Sequence, residues 1–234
     1  MTKTEALALL KENTNKRGIA NWNKDDANTG GLKSFGIGLT QLRKLAKQIG
    51  QDHELALRLW KSDNHDVKVI SLLIDEPKKL TREQAEEQVE DIAAGYLAHI
   101  FSTCGATLAK APIAFELACE WMESKDPIRR RCAYSLIYEL SKNPRIKELT
   151  DEFLLSVIEQ IRSRFDSEDT WERMAMGGAL LGMGKRNKLL NKEALKVAKK
   201  MGPIDFNEET GNCDPFDPAK HLTSDHLMKK LGLS

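Results

Sequence analysis

The chain has 234 residues, with 36 lysines and arginines against 35 aspartates and glutamates and a net charge of +1. Near neutrality excludes a global field drawing the protein to DNA or a membrane, so nucleic-acid binding would have to rest on a local basic patch. Aromatic residues make up only 6%, and valine and threonine never alternate in runs, which argues against strands.

Thr4–Glu12 reads as a short helix. The polar stretch 16–38, KRGIANWNKDDANTGGLKSFGIG, reads as a loop from its glycines and asparagines. Thr40 is placed to cap a helix that stops at Gly50, and Asp52 to cap HELALRLWKS. His65–Ile74 forms the next helix, and Thr81 with Gln84 makes a capping box for REQAEEQVEDIAAGY. A helix over Pro112–Glu123 follows. Asp126 and Pro127 stand at N-cap and N1 of DPIRRRCAYSLIYEL. Thr150 or Asp151 starts EFLLSVIEQIRSRF, Ser167 caps a helix that ends at Gly184, and Asn191 caps KEALKVAKKMG. Residues 202–225 are rich in Pro, Gly, Asn and Asp, and the short helix SDHLMKKLG closes the chain.

This pattern predicts an all-α protein. From Gly38 to Gly202 the helix pairs recur at roughly 40 residues, the spacing of HEAT-type repeats. Stacked antiparallel pairs of that kind make an α-solenoid with a concave groove; a globular helical bundle is the alternative. The expected organisation is one domain over 1–234, with 1–37 an N-terminal helix and loop and 203–234 an irregular capping segment.

The four cysteines, Cys104, Cys119, Cys132 and Cys213, show no CxxC spacing. Neither a disulfide framework nor a zinc site is expected. The start, MTKTEALALLKEN, lacks a signal-peptide core, and no apolar run reaches the roughly 18 residues of a membrane span. The expectation is a cytoplasmic protein with no membrane partner. The tail acids Asp205, Glu208, Glu209, Asp214 and Asp217, with His221, fit no calcium loop, so neither a metal nor another cofactor is expected.

The three arginines of Asp126–Leu140 pose a geometric question. At about 100° per residue they cannot share a direction. Ile128, Cys132, Ala133, Leu136, Ile137 and Leu140 spread over the packing half of the helix. Arg129 and Arg130 flank that face, while Arg131 heads an opposite stripe with Tyr134 and Tyr138. An arginine beside aromatic rings can pair phosphate and stack on bases. The two tyrosines could equally pack on a neighbouring repeat. Arg43, Lys44 and Lys47 crowd another helix, and Lys185, Arg186 and Lys188 follow a helix end, where cations also complement the helix dipole.

Four stretches, SFGIGLTQLRKLAKQIG, LALRLWKSDNHDVKVISLLIDEP, KAPIAFELACEWMESKDPIRRRCAYSLI and GMGKRNKLLNKEALKVAKKMG, resemble the AlkD-like DNA alkylation-repair family, over about 36–213. The resemblance implies a HEAT-like solenoid with a DNA-binding groove and, in active members, excision of N3- or N7-alkylated purines. Such excision passes through an oxocarbenium-like state that a carboxylate stabilises, with aromatic faces favouring the cationic base. The family arginine falls on Arg131. Its Trp–Asp motif should lie in DIAAGYLAHIFSTCGATL, which has no tryptophan and no acid between Asp91 and Glu116. Its later tryptophan should lie where Gly177 and Gly178 stand, and Trp171 comes nearly two turns earlier. The catalytic candidates left on the key helix are Tyr96 and His99, three residues apart on one face.

The expected function is therefore that of a DNA-binding relative of the alkylation-repair glycosylases without the standard catalytic carboxylate. Its expected partner is duplex, damaged or branched DNA. Its expected DNA-binding residues are Arg130, Arg131, Tyr134, Tyr138, Arg43, Lys44, Lys47, Lys185 and Arg186. An active alkylpurine glycosylase and a protein-interaction scaffold are the alternatives.

Overall fold

The computed structural model describes residues 1–24, 29–93, 95–205 and 214–233. Among these it holds fourteen α-helices and two short 3-10 turns. There is no strand among them, only isolated bridges at Lys33–Asn64 and Ile204–Phe216. The chain divides into two compact units, residues 1–114 and 115–234.

The first unit holds α1 (Lys3–Glu12), α2 (Lys16–Trp22), α3 (Leu39–Ile49), α4 (His53–Trp60), α5 (His65–Ile74), α6 (Arg82–Glu90) and α7 (Gly95–Ser102). Helix α5 is its centre, because HDVKVISLLI is buried on nearly every side and α3, α4 and α7 all pack on it. Asn64 caps it by accepting from the backbone N–H groups of Asp66 and Val67. Its two buried aspartates tie down the surrounding chain. Asp66 accepts from the Ser34 hydroxyl at 2.8 Å and the Phe35 N–H at 2.5 Å. Asp75 accepts from His53 Nδ1 at 2.6 Å, Gln84 Nε2 at 2.7 Å and the Glu76 N–H at 2.7 Å.

The stretch read as a loop contains a helix, α2. Its composition is poor for helix, and tertiary contacts override that weak preference. Asn15 caps it by accepting from the Gly18 N–H. At its end, Trp22 donates its indole N–H to the Leu32 carbonyl at 2.8 Å and lies 4.5 Å from the His65 ring. Gly18 meets the left-handed Gly36 so closely that a methyl group on Gly18 would sit 2.0 Å from the Gly36 carbonyl oxygen. Gly18→Ala is expected to destabilise the first unit by about 3 kcal/mol, the upper range for overpacking; urea unfolding followed by circular dichroism measures it.

The second unit takes up α8 (Ala114–Met122) after its first residue. It continues with α9 (Pro127–Ser141), α10 (Asp151–Arg164), α11 (Thr170–Gly184), α12 (Lys188–Met201), α13 (Pro218–Leu222) and α14 (Asp225–Leu231). Helix α9 lies along α11, and α12 packs on both α10 and α11. The caps at Asp126 and Thr150 form as expected. Two others shift. Asp169 caps α11 in place of Ser167, because residues 165–167 close a 3-10 turn first. Asn187 caps α12 in place of Asn191, which is buried and donates its amide to the carbonyls of Gly184 and Leu222.

Candidate nucleic-acid interface

Helix α9 presents the arginines in three different environments. Arg129 turns back to its own cap, Asp126, at 3.0 Å. Arg130 grips Glu168 through Nε and Nη2 at 2.7 and 2.6 Å, and its remaining nitrogen donates to the carbonyls of Ser124 and Lys125. This guanidinium is committed to holding the α8–α9 turn against the start of α11. Arg131 is 4% exposed, with its guanidinium 4.5 Å from the Trp171 ring. Burial pulls its pKa down to about 10, so it stays cationic at neutral pH.

The expected open stripe is thus covered along most of its length. Tyr134 is fully buried, and burial pushes its hydroxyl up to about 12. Tyr138 is half-buried with the Lys142 ammonium 4.0 Å from its ring. At Tyr138 the reason lies in α11, which packs along α9 and comes closest at Gly182. A methyl group on Gly182 would stand 3.1 Å from the Cα and carbonyl oxygen of Tyr138, whereas one on Gly178 would meet nothing within 4 Å. Gly182→Ala is therefore expected to cost about 1–3 kcal/mol. Gly178→Ala is expected to stabilise the helix by about 0.5–1 kcal/mol. Thermal unfolding of the two variants should show shifts of opposite sign.

Cations gather at two cavities, one in each unit. In the first unit Arg43, Lys47 and Lys110 line a cavity of about 460 Å³. No carboxylate among the described residues lines it. Arg43 donates from Nε and Nη2 to the Cys104 carbonyl at 3.1 and 2.6 Å, and Lys110 donates to the Gly105 carbonyl at 2.9 Å. These bonds fix a turn in which Cys104 and Gly105 both have positive φ, 59° and 88°. Lys44 and Lys47 are exposed on α3.

In the second unit a cavity of about 430 Å³ opens at the C-terminal ends of α9 and α11. Tyr138, Ser141, Lys142, Lys185 and Lys230 are among its walls. Arg186 donates to the carbonyls of Ser141, Asn143 and Leu149, so it clamps the end of α9 to the following loop. Lys185 lies below the usual lysine pKa, first through burial and then through the like charges of Lys142 and Lys230.

Three lining cations were missed in the sequence. Lys142 had a signal, since it stands one turn after Tyr138 and three turns after Arg131 on the same stripe. Lys110 and Lys230 had none, because only the tertiary fold brings them in.

On α7, Tyr96 is 36% exposed and its ring lies 6.1 Å from that of Trp22. His99 is half-buried, and its carbonyl accepts from the Thr103 hydroxyl. In the tail, Asp217 caps α13 and His221 packs on Phe216. Glu208, Glu209 and Cys213 lie outside the described residues. No group of three His, Cys, Asp or Glu among the described residues could hold a metal. No helix among them is long and apolar enough to cross a membrane.

The family model for the DNA alkylation repair enzyme matches residues 4–208. Protein Lin0241 of Listeria innocua, which is uncharacterized, is 23% identical over 193 residues, covering 82% of this chain and 83% of its own. Lmo0209 of Listeria monocytogenes, also uncharacterized, is 22% identical over the same share of each chain. A solved structure matches with a TM-score of 0.83 at 18% identity, covering 100% of this chain and 97% of the other. That protein is described as one of a new family related to the HEAT-like repeat DNA glycosylases, with affinity for branched DNA structures. The all-α fold is the fold of that group.

Proposed function

Because this chain belongs to the DNA alkylation repair enzyme family, we propose that it binds structured DNA through phosphate contacts and does not excise bases by the carboxylate-assisted route. The observation that carries this reading is the first unit's cation cavity. The chain is almost neutral, yet Arg43, Lys47 and Lys110 surround one cavity without a lining acid among the described residues. Such concentrated charge suits a polyanion and gives affinity without sequence preference. The affinity for branched DNA ascribed to the structural neighbour is in keeping with it. A cytoplasmic place of action and DNA as the main partner complete the reading.

Excision by the family's chemistry needs negative charge beside the sugar as the glycosidic bond breaks. Helix α7 brings Tyr96 and His99 to that part of the chain, with no carboxylate between Asp91 and Glu116. Neither a phenol nor an imidazole supplies the missing negative charge. Incubation with methylated DNA should therefore release no alkylated base above a buffer control; release in proportion to enzyme would overturn this part.

The binding part has its own test. Lys44→Ala/Lys47→Ala removes two exposed cations that hold no ion pair among the described residues. It should weaken binding to every DNA structure alike and reduce the magnitude of the salt slope by up to about 2, near 0.9 for each phosphate no longer neutralised. Unchanged affinity and slope would remove α3 from the interface.

A further inference from the structure

The cavity at the ends of α9 and α11 has a composition that the DNA reading leaves unexplained. Cations at a helix C-terminus commonly serve the helix itself, by bonding its last carbonyls. Arg186 does so for α9, through the Ser141 carbonyl. Among the described residues Lys185 and Lys230 make no such bond, and Lys142 pairs with Glu139 at 2.8 Å while keeping its ammonium over the Tyr138 ring. Three ammonium groups thus line one cavity, close enough for Lys185 to feel the other two. Lys142 already has Glu139 beside it; Lys185 and Lys230 have no carboxylate partner among the described residues, and like charges held together destabilise one another until an anion joins them.

A second observation points the same way. Ser141 lines this cavity, is 4% exposed, and its hydroxyl has no hydrogen-bond partner among the described residues. A buried serine in a helix normally bonds back to a carbonyl one turn earlier. A polar group left unpaired in that position calls for an explanation. The one carboxylate in the wall, among the described residues, is Asp151. It is turned to Asn187, whose amide nitrogen donates to both its oxygens at 3.0 and 2.9 Å. It does not neutralise the lysines by direct pairing.

The volume, about 430 Å³, is within the ordinary range for a small-ligand site of about 300–1,000 Å³. A backbone phosphodiester carries a single charge, and a phosphomonoester carries about −1.5 to −2 at pH 7 with three acceptor oxygens. Two lysines without a carboxylate partner among the described residues, a third shared with Glu139, and a hydroxyl match the second better. We propose that this cavity is a phosphomonoester site, taking the terminal phosphate of a nucleotide or of a DNA strand end. The site goes beyond phosphate-backbone binding, because it reads an end and not a length of DNA.

The test uses the full chain and two probes. The first is a nicked duplex with or without a 5′-phosphate at the nick, followed by fluorescence anisotropy. The second is adenosine 5′-monophosphate, followed by thermal shift. Each is repeated with Lys185→Ala/Lys230→Ala, whose side chains lie at the surface and whose loss should leave the fold intact, and with Ser141→Ala. Affinity for the phosphorylated nick about tenfold above the unphosphorylated one, as one charge-assisted hydrogen bond supplies, and equal affinities in the lysine variant, would support a strand-end site. No nick preference, with a thermal shift by the nucleotide that both variants reduce, would support the same cavity serving a free nucleotide. Neither preference nor shift would overturn the proposal. Failure to bind any DNA would instead count against the DNA reading and leave the thermal-shift arm to judge the cavity.

Discussion

Arg130→Ala is expected to lower the stability of the second unit by about 3 kcal/mol, the low end for breaking a buried ion pair from one side. Both partners are largely enclosed, with 17% of the Arg130 side chain and 7% of the Glu168 side chain exposed. The arginine makes two parallel bonds to the carboxylate and two more to the carbonyls of Ser124 and Lys125. Its loss leaves a buried negative charge and two carbonyls without a donor. The carboxylate also raises the Arg130 pKa by hydrogen bonding to it, as expected of a pair favouring both charged forms. Glu168→Gln should cost less, because the amide still accepts from the guanidinium. Urea unfolding monitored by tryptophan fluorescence measures both. A stable Arg130→Ala variant with reduced DNA affinity would restore Arg130 to the interface.

Asp75→Ala is expected to have a comparable effect in the first unit, about 3 kcal/mol. The residue is 2% exposed and closes the C-terminal end of α5. It receives the His53 ring, the Gln84 amide and the Glu76 N–H. Its own carbonyl receives the Thr107 hydroxyl at 3.0 Å, so the same residue joins α4, α6 and the segment after α7. Alanine leaves three donors without an acceptor, at about 1–3 kcal/mol for each that water cannot reach. Asp75→Asn keeps the shape and part of the bonding and should fall between. Chemical denaturation of the three proteins gives the order; equal midpoints would refute this role.

Both residues show where sequence reading reached its limit. Asp75 stood in LLIDEP and marked a helix end, which is correct, but nothing local revealed three donors from distant segments. Arg130 was placed at the edge of the packed face, as observed, and its partner Glu168 is 38 positions away. Helices with strong local signals were legible: the α9 start from Asp126-Pro127 and the α3 end at Gly50 both follow from cap chemistry. Helix α2 was not, because it depends on Gly18 against Gly36 and on Trp22 against His65. The packed face of α9 is legible at Ile128–Leu140, whereas for Arg131 and Tyr134 the sequence leaves both an open stripe and packing on a neighbour possible, and the fold buries both. A helical wheel assigns one buried face, and α9 is enclosed on two. Of the glycines in GGALLG, Gly177 and Gly182 stand at close contacts and Gly178 stands in open space, a difference that the sequence does not mark.

The cations divided in the same way. Lys44 and Lys47, which the sequence shows crowding one helix with Arg43, are exposed on α3. Arg43 lies at its cavity but is bonded to the Cys104 carbonyl, and Arg186 is bonded to three carbonyls. A basic residue in sequence carries no mark of whether the backbone has already engaged it.

The most direct measurement is binding of the full chain to a four-way DNA junction and to a linear duplex of the same length, by fluorescence anisotropy across a salt series. The account predicts tighter binding to the junction and, for both, a log affinity that falls linearly and steeply with log salt concentration. Binding that is absent at low salt, or present and indifferent to salt, would contradict it.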